Sequence, residues 1–403
     1  MIFIIIIYLY IYIMKVYILY SGYYDEETYN DFIVDNDFFY KTCICEPNIF
    51  ILQIEDHDNN IIFNKKYSAI KNSFWKSNAY EDYKNILEYV KSIKVIKKIY
   101  INEFEDHKLY NLLKDRFIIE KINYNKEREK KNIKEIKNIF RACLFTQKIL
   151  LNIPKFNNEL EIYRYLKFNG QLTSKYSSLS YDPIVAIGLN GSILHYNRPK
   201  DINVKNGLLL IDYGLRYKNY CCDFTRVFPI NKKFTALEKD IYNIVYKCFI
   251  KIKDKIEGEN TSFLELTNYC YILLFYGLFR NNIILENNFN FFQIKQIVKY
   301  FFPHSLGHSV GLDVHDVPIE LDLLKINMII TIEPGIYFNS LLLEDLKKSE
   351  YNTYINWEKI NLILKNNIGG VRIEDTILIT KDSYINFINL PTSINEIEEF
   401  MDK

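Results

Sequence analysis

The run Leu208-Leu-Leu-Ile-Asp212-Tyr-Gly214 reads as a buried strand ending in an acid and a glycine. Tyr220-Cys-Cys-Asp223-Phe-Thr225-Arg226-Val-Phe reads as the strand returning beside it, after a turn around Leu215 to Asn219. Such a hairpin brings Asp212 and Asp223 together. Two carboxylates held close at low solvent exposure repel, so one takes up a proton or a cation sits between them. Alternatively, one acid points outward or meets Arg226. Downstream, Pro303-His304-Ser-Leu-Gly307-His308-Ser-Val-Gly311-Leu-Asp-Val-His315-Asp316 gathers three of the chain's six histidines in one glycine-punctuated loop. Thr331-Ile-Glu333-Pro-Gly335 reads as a strand that ends in Glu333 and is turned by Pro-Gly. In Gly369-Gly-Val-Arg372-Ile-Glu374-Asp375, strand alternation puts Arg372 and Glu374 on one face. Taken singly, each glutamate reads as a surface charge at a strand end. Taken together, four carboxylates and an imidazole make a hard, oxygen-rich donor set. That set suits Mn²⁺, Co²⁺, Fe²⁺ or Zn²⁺ in a bridged pair better than a structural zinc, which favours thiolates or several imidazoles. A two-metal site activates water and polarises a carbonyl, the chemistry of a hydrolase.

Several elements must position these groups. Residues 1 to about 128 read as an α/β unit, with strands at Val16–Tyr20, Ile49–Ile54, Ile61–Phe63 and Val95–Tyr100 and a helix at Tyr83–Lys94. Lys126-Glu-Arg-Glu-Lys-Lys131 reads as a charged, solvated linker or helix start. Ile136, Ile139, Phe140, Cys143 and Leu144 recur at helical spacing, which predicts an amphipathic helix over Asn132 to Leu151 opening the second domain. Another helix begins near Asn158, with Gly170 as its C-terminal stop. A longer helix spans Ala236 to Ile256, and short strands with Gly, Pro and Asn turns fill the rest. The stretch 338–368 is polar and lysine-rich and reads as a solvated loop and helix, although a lid, an insertion or an oligomer contact fits the same composition.

Composition narrows the function classes. The 403 residues leave room for two domains and a substantial core. With 51 basic and 50 acidic residues, the chain carries no broad positive field for nucleic acid. Seven cysteines without zinc spacing argue for a reducing compartment rather than a disulfide scaffold. Ile2 to Ile13 is apolar but shorter than the roughly 20 residues that a membrane-spanning helix needs. It reads as a strand-like extension, or as upstream of a true start at Met14, in preference to an anchor.

These motifs resemble those of the M24 metallopeptidases, the pita-bread fold, in their Xaa-Pro-specific branch of aminopeptidase P and prolidase. The resemblance runs along nearly the whole chain. Pro183-Ile-Val-Ala-Ile-Gly-Leu-Asn-Gly-Ser-Ile-Leu-His195-Tyr is similar to the family segment with its first active-site histidine, and Asp212 and Asp223 keep the family's ligand spacing. Asn36-Asp-Phe-Phe-Tyr40 and Glu46-Pro47 resemble the aminopeptidase P N-terminal domain, although the family's Gly-Phe after the tyrosine is replaced around Lys41–Cys45.

The resemblance implies an α+β fold, with a smaller N-terminal α/β domain (1–128) and a pita-bread catalytic domain (129–403). It implies two divalent ions, foremost Mn²⁺, held by Asp212, Asp223, His308, Glu333 and Glu374, with Asp223 and Glu374 bridging. A metal-bridging hydroxide would attack the Xaa-Pro carbonyl, with Glu333 as proton shuttle. His195 and His315 would orient substrate and stabilise the oxyanion, His304 would line the proline side, and Arg372 would stand near the substrate's carboxylate or downstream backbone. The implied partners are proline-containing peptides, without nucleic acid or membrane insertion, in a cytoplasmic homodimer or homotetramer. A prolidase restricted to dipeptides and a non-catalytic pita-bread scaffold are the alternatives. Intact ligands argue against the scaffold.

Overall fold

The computed structural model describes residues 14–20, 36–42, 49–54, 61–64, 96–101, 113–121, 124–153, 158–319 and 323–402. The chain forms two compact units, Met1–Lys126 and Glu127–Lys403. The smaller contains β1 (Met14–Tyr20), α1 (Asn36–Thr42), β2 (Ile49–Ile54), β3 (Ile61–Asn64), β4 (Ile96–Ile101) and β5 (Ile118–Lys121). These strands form one mixed sheet in the order β3-β2-β1-β4-β5. β2 runs antiparallel to β1 and β3, while β4 runs parallel to β1 and β5. Ile99 and Ile101 are buried and Lys98 and Tyr100 less so, the alternation of a strand with one covered face. The expected helix Tyr83–Lys94, the segment before Met14, Cys43, Cys45 and Glu46-Pro47 lie outside the described residues.

The charged run at the junction does not face water throughout. It enters a short helix, α2 (Asn125–Glu129), and both Arg128 and Lys131 are buried. Next comes α3 (Ile133–Leu150), begun by a capping box in which Asn132 accepts from the Glu135 amide while the Glu135 carboxylate accepts from the Asn132 amide. Its buried stripe runs through Glu135, Ile139, Ala142, Cys143, Thr146 and Ile149, leaving Phe140 and Leu144 exposed. α4 (Glu159–Leu172) is capped by Asn158 and continues past Gly170. That glycine does not stop the helix; it admits a neighbour. A Cβ there would lie 2.7 Å from the Tyr213 hydroxyl oxygen, and that hydroxyl donates to the Leu166 carbonyl of α4.

Four small antiparallel sheets carry the rest. β6 (Ser177–Leu179) joins β9 (Leu215–Tyr217) and β10 (Tyr220–Cys221), while β7 (Ile184–Ile187) joins β8 (Leu208–Asp212) and β11 (Thr225–Pro229). After α5 (Ala236–Asp254), α6 (Phe263–Arg280) and α7 (Phe291–Val298) come β12 (Ile329–Ile332) and β13 (Gly335–Tyr337). Then follow α8 (Ser340–Lys348), α9 (Trp357–Lys365), β14 (Gly370–Arg372), β15 (Asp375–Ile379), β16 (Tyr384–Asn386) and α10 (Ile394–Asp402). β12, β15 and β16 form one sheet, and β13 pairs with β14. α3 and α4 pack on β6, β7, β9 and β10, and α5 packs on β12, β13 and β14. The stretch 338–368 is more ordered than a solvated loop. Leu343 and Leu346 of α8, and Ile360 and Ile363 of α9, face inward, with Tyr351 and Ile355 buried between the two helices.

Candidate metal centre

β8 and β11 pair antiparallel, with Asp212 opposite Thr225. The single hairpin expected from the sequence is divided in two. Beyond Asp212 the chain passes into a second, tighter hairpin of β9 and β10, closed by Lys218 and Asn219 at φ 48 and 69, the left-handed pair of a two-residue turn. Gly214 makes the transition possible. A Cβ there would lie 1.8 Å from the Cys222 carbonyl oxygen, so no other residue allows the crossing that sets Asp223 beside Asp212. Both acids are buried. The Tyr181 hydroxyl reaches both, 2.5 Å from Asp212 Oδ1 and also within hydrogen-bond distance of Asp223 Oδ1.

The other strand ends close around them. Arg372, at the end of β14, donates from Nη2 to Asp212 Oδ2 at 2.6 Å, from Nε to Thr225 Oγ1 at 3.0 Å and from Nη1 to the Tyr337 hydroxyl at 2.8 Å. Thr225 in turn donates to Glu374 Oε2 at 2.6 Å. Thr376 holds Asp223 from behind, accepting its amide and donating to its carbonyl. His308 stands on the opposite wall, its amide bound by Thr331 Oγ1 and its carbonyl by the Thr331 amide. Its Nδ1 faces the Ser309 carbonyl, which can only accept, so Nδ1 carries the hydrogen and Nε2 faces the acids. Nε2 lies 3.4 Å from Asp223 Oδ2 and 3.4 Å from Glu333 Oε1.

His304 obeys the same logic. Nδ1 donates to the Ser305 carbonyl at 2.8 Å, leaving Nε2 to accept the Tyr337 hydroxyl at 2.8 Å. A continuous chain thus links Asp212, Arg372, Tyr337 and His304. The His315 ring meets His308 edge-on at 4.2 Å. His195 lies exposed on the loop after β7, near enough for its charge to bear on His304 and His315. Glu159 ties that loop down: its carboxylate accepts from the Ile187 amide at 2.6 Å, Asn190 Nδ2 at 2.8 Å, the Tyr196 hydroxyl at 2.9 Å and the Lys200 amide at 2.9 Å.

Burial dominates the electrostatics. Burial, then the Asp223 charge, raises Asp212 to about 6, with Arg372 opposing. Burial raises Glu333 to about 7 against His308 and Arg372. Burial and the neighbouring acids push Glu374 well above the carboxylate range. Burial acts upward on Asp223 as well, but contact with His308 outweighs it and holds this acid low. Burial alone would depress His308, but Asp223 and Glu333 lift it to about 9. Burial and the Arg372 charge drop His304 to about 3, keeping it neutral.

A cluster of acids held partly protonated by burial, with mutual repulsion adding to it, lacks counter-charge, and its donor atoms suit a divalent ion. One ligand atom each from Asp223, His308 and Glu374 lies within 4.8 Å of the others. Ligands bonded at about 2.1 Å to one ion stand about 3.0–3.4 Å apart, which the His308 separations already match. Hard oxygens with one imidazole suit the same class of metal.

All of the site residues named from the sequence gather here except His195, which sits at the exposed rim. Tyr181, Thr225, Thr331 and Tyr337 were not singled out. Two tyrosines among 34 carry no distinguishing mark, and the threonines acquire their roles only from the strand register.

Residues 135–381 match the model of metallopeptidase family M24. The chain belongs to metallopeptidase family M24, and its carboxylates and imidazole at converging strand ends form a donor set that suits a divalent ion. A probable Xaa-Pro aminopeptidase, pepP, of Neosartorya fischeri is 36% identical over 245 residues, covering 54% of this chain and 51% of that protein. A Coccidioides posadasii protein of the same description is 33% identical over 244 residues, 55% of this chain and 51% of the relative. The chain thus matches about half the length of these relatives. Among solved structures, Pseudomonas aeruginosa aminopeptidase PepP superposes with a TM-score of 0.79 at 23% identity, covering 96% of this chain and 94% of its own. Icp55 of Saccharomyces cerevisiae gives 0.76 at 23% identity, covering 96% and 93%. These likenesses define the fold, that of aminopeptidase P.

Proposed function

We propose that this chain is a dinuclear metalloaminopeptidase that removes the residue ahead of a proline at a peptide's N-terminus. The observation that carries the proposal is the convergence of Asp212, Asp223, His308, Glu333 and Glu374 in one buried, over-charged pocket. Asp212, Asp223 and Glu374 would hold one ion, and Asp223, Glu374, His308 and Glu333 the other. Bound ions supply a nucleophilic water at neutral pH and polarise the scissile carbonyl.

The chain's own residues do the rest. Glu333 takes the proton of the attacking water and passes it to the prolyl nitrogen as the C–N bond breaks. His315 and His195 donate N–H to the developing oxyanion. His304, neutral and fixed by Tyr337 and Ser305, lines the proline side. Arg372 commits three nitrogens to Asp212, Thr225 and Tyr337, so we assign it to holding the ligand frame. The names of the fungal relatives support the Xaa-Pro substrate class.

Mn²⁺, a cytoplasmic site of action and a homodimer or homotetramer belong to the same proposal. Five described cysteines are free and buried, which supports a reducing compartment. Among the described residues, no helix is long and apolar enough to cross a membrane. The test is release of Xaa from Xaa-Pro and Xaa-Pro-Yaa by the full chain with Mn²⁺, before and after chelation. Turnover of both with chelator-sensitive activity supports the proposal. Turnover of the dipeptide alone points to a prolidase, and no turnover with any divalent metal overturns the proposal.

A further inference from the structure

The charged run that opens the larger unit folds inward. Arg128 is 8% exposed and Lys131 2%. Lys131 Nζ donates to Asp316 Oδ2 at 2.8 Å and to the Arg128 carbonyl at 2.6 Å. Arg128 Nη2 donates to Asp316 Oδ1 at 2.5 Å and to Asp313 Oδ2 at 2.7 Å. Both oxygens of Asp316 are therefore held by cations, in a side chain only 1% exposed.

Asp316 directly follows His315, in a loop with no strand or helix of its own. The loop winds around this carboxylate. The Asp313 amide donates to Asp316 Oδ1 at 3.3 Å, the Asp316 amide to the Ser309 carbonyl at 2.9 Å, and the Gly311 amide to the Asp313 carbonyl at 3.0 Å. Gly311 approaches so closely that a Cβ would lie 2.4 Å from Asp316 Oδ2. The same loop carries the His308 and His315 rings in contact.

Burying two cations costs desolvation that the close, hydrogen-bonded pairing with Asp316 offsets, and removing one partner would leave a buried charge uncompensated. The backbone ties the loop to β12 between Leu306 and Val310 and to β10 at Gly311, but His315 lies beyond those bonds, where the anchored Asp316 carboxylate holds the turn. We infer that Lys131 and Arg128 are positioning residues which, through Asp316, fix the loop that aims His315 at the reacting carbonyl. The inference rests on the proposed peptidase reading for His315.

The experiment uses the full chain with Mn²⁺ and an Xaa-Pro-Yaa substrate. Lys131→Met should lower kcat about tenfold to a hundredfold, the scale of a small misplacement, with metal content unchanged. Lys131→Arg should recover most of that loss. In a His315→Ala background, Lys131→Met should cost no more than about twofold, because coupled residues are not additive. Hydrogen exchange at the Gly311, Asp313 and Asp316 amides should quicken in Lys131→Met and return towards wild type in Lys131→Arg. Losses that multiply independently in the double variant, or unchanged exchange in Lys131→Met, overturn the inference. If Lys131→Met does not fold, the isosteric Asp316→Asn is read by the same criteria. If the wild type hydrolyses no Xaa-Pro bond, the proposed function fails, and exchange alone decides whether Lys131 holds the loop.

Discussion

Glu333→Gln should change the sign of its effect on stability depending on whether divalent metal is present. In the metal-free protein Glu333 has its proton affinity raised from 4.5 to about 7 by burial. Because the folded value lies above the unfolded one, the native state holds a proton that the unfolded chain has lost between these pH values. Stability therefore falls as pH rises through that window, and the full cost of ionising Glu333 is present above pH 7. At about 1.4 kcal/mol for each tenfold change in proton affinity, that cost is about 3 kcal/mol at most. Glutamine removes the charge and keeps an oxygen to accept the Thr331 hydroxyl, 3.2 Å away. Metal-free Glu333→Gln should thus melt up to about 6 °C above wild type at pH 8, at about 2 °C per kcal/mol for a unit of this size. At pH 5 the gap should shrink to about 2 °C or less, because native Glu333 is protonated there and only the unfolded chain has begun to ionise. With metal at a thousand times its Kd, wild type gains about 4 kcal/mol. The variant, lacking one ligand, should gain much less and melt below wild type. Circular-dichroism melts at pH 5 and pH 8, in chelator and in Mn²⁺, read all four corners. A variant less stable than wild type in chelator at pH 8 would refute the claim that the buried, ionised Glu333 destabilises the metal-free pocket.

Three further outcomes follow from particular contacts. Gly214→Ala should destabilise the larger unit by more than about 4 kcal/mol, because the new Cβ meets backbone; a near-wild-type urea midpoint would contradict this. Tyr181→Phe should weaken divalent-metal affinity about tenfold by leaving Asp212 and Asp223 less firmly oriented, measured by calorimetric titration. Glu159→Gln turns an amide N–H₂ towards at least one of four donors. It should cost about 2–3 kcal/mol in urea unfolding and lower kcat/KM by loosening the loop that carries His195.

Much of the site was legible because its ligands sit at strand ends marked by glycine and proline, where local pattern and chemistry coincide. Asp212 before Gly214, Glu333 before Pro-Gly and the histidine loop stand out in a chain where histidine and glycine are scarce. Local pattern misled where one residue type serves two purposes. Gly170 looked like a helix stop but sits inside α4, making room for Tyr213. Lys126–Lys131 looked solvated because it is charged, yet two of its cations are buried against Asp316. The apolar spacing locates α3 but not its buried face: Ile139 and Cys143 face in, Glu135 and Thr146 take buried positions, and Phe140 and Leu144 face out.

By itself, then, the sequence determined which residues can bind a hard divalent ion and where the chain must turn. Those properties belong to side-chain type and to neighbours a few positions away. Only the tertiary structure decided the partners of those residues. Asp212 meets Arg372 across 160 positions, and Thr225 meets Glu374 across 149. It also decided which tyrosines and threonines join the site, and that Nε2 of His304 and of His308, not Nδ1, faces the other site residues. Such choices depend on burial and on the register between distant strands. They exist only once packing has excluded water and forced like charges together.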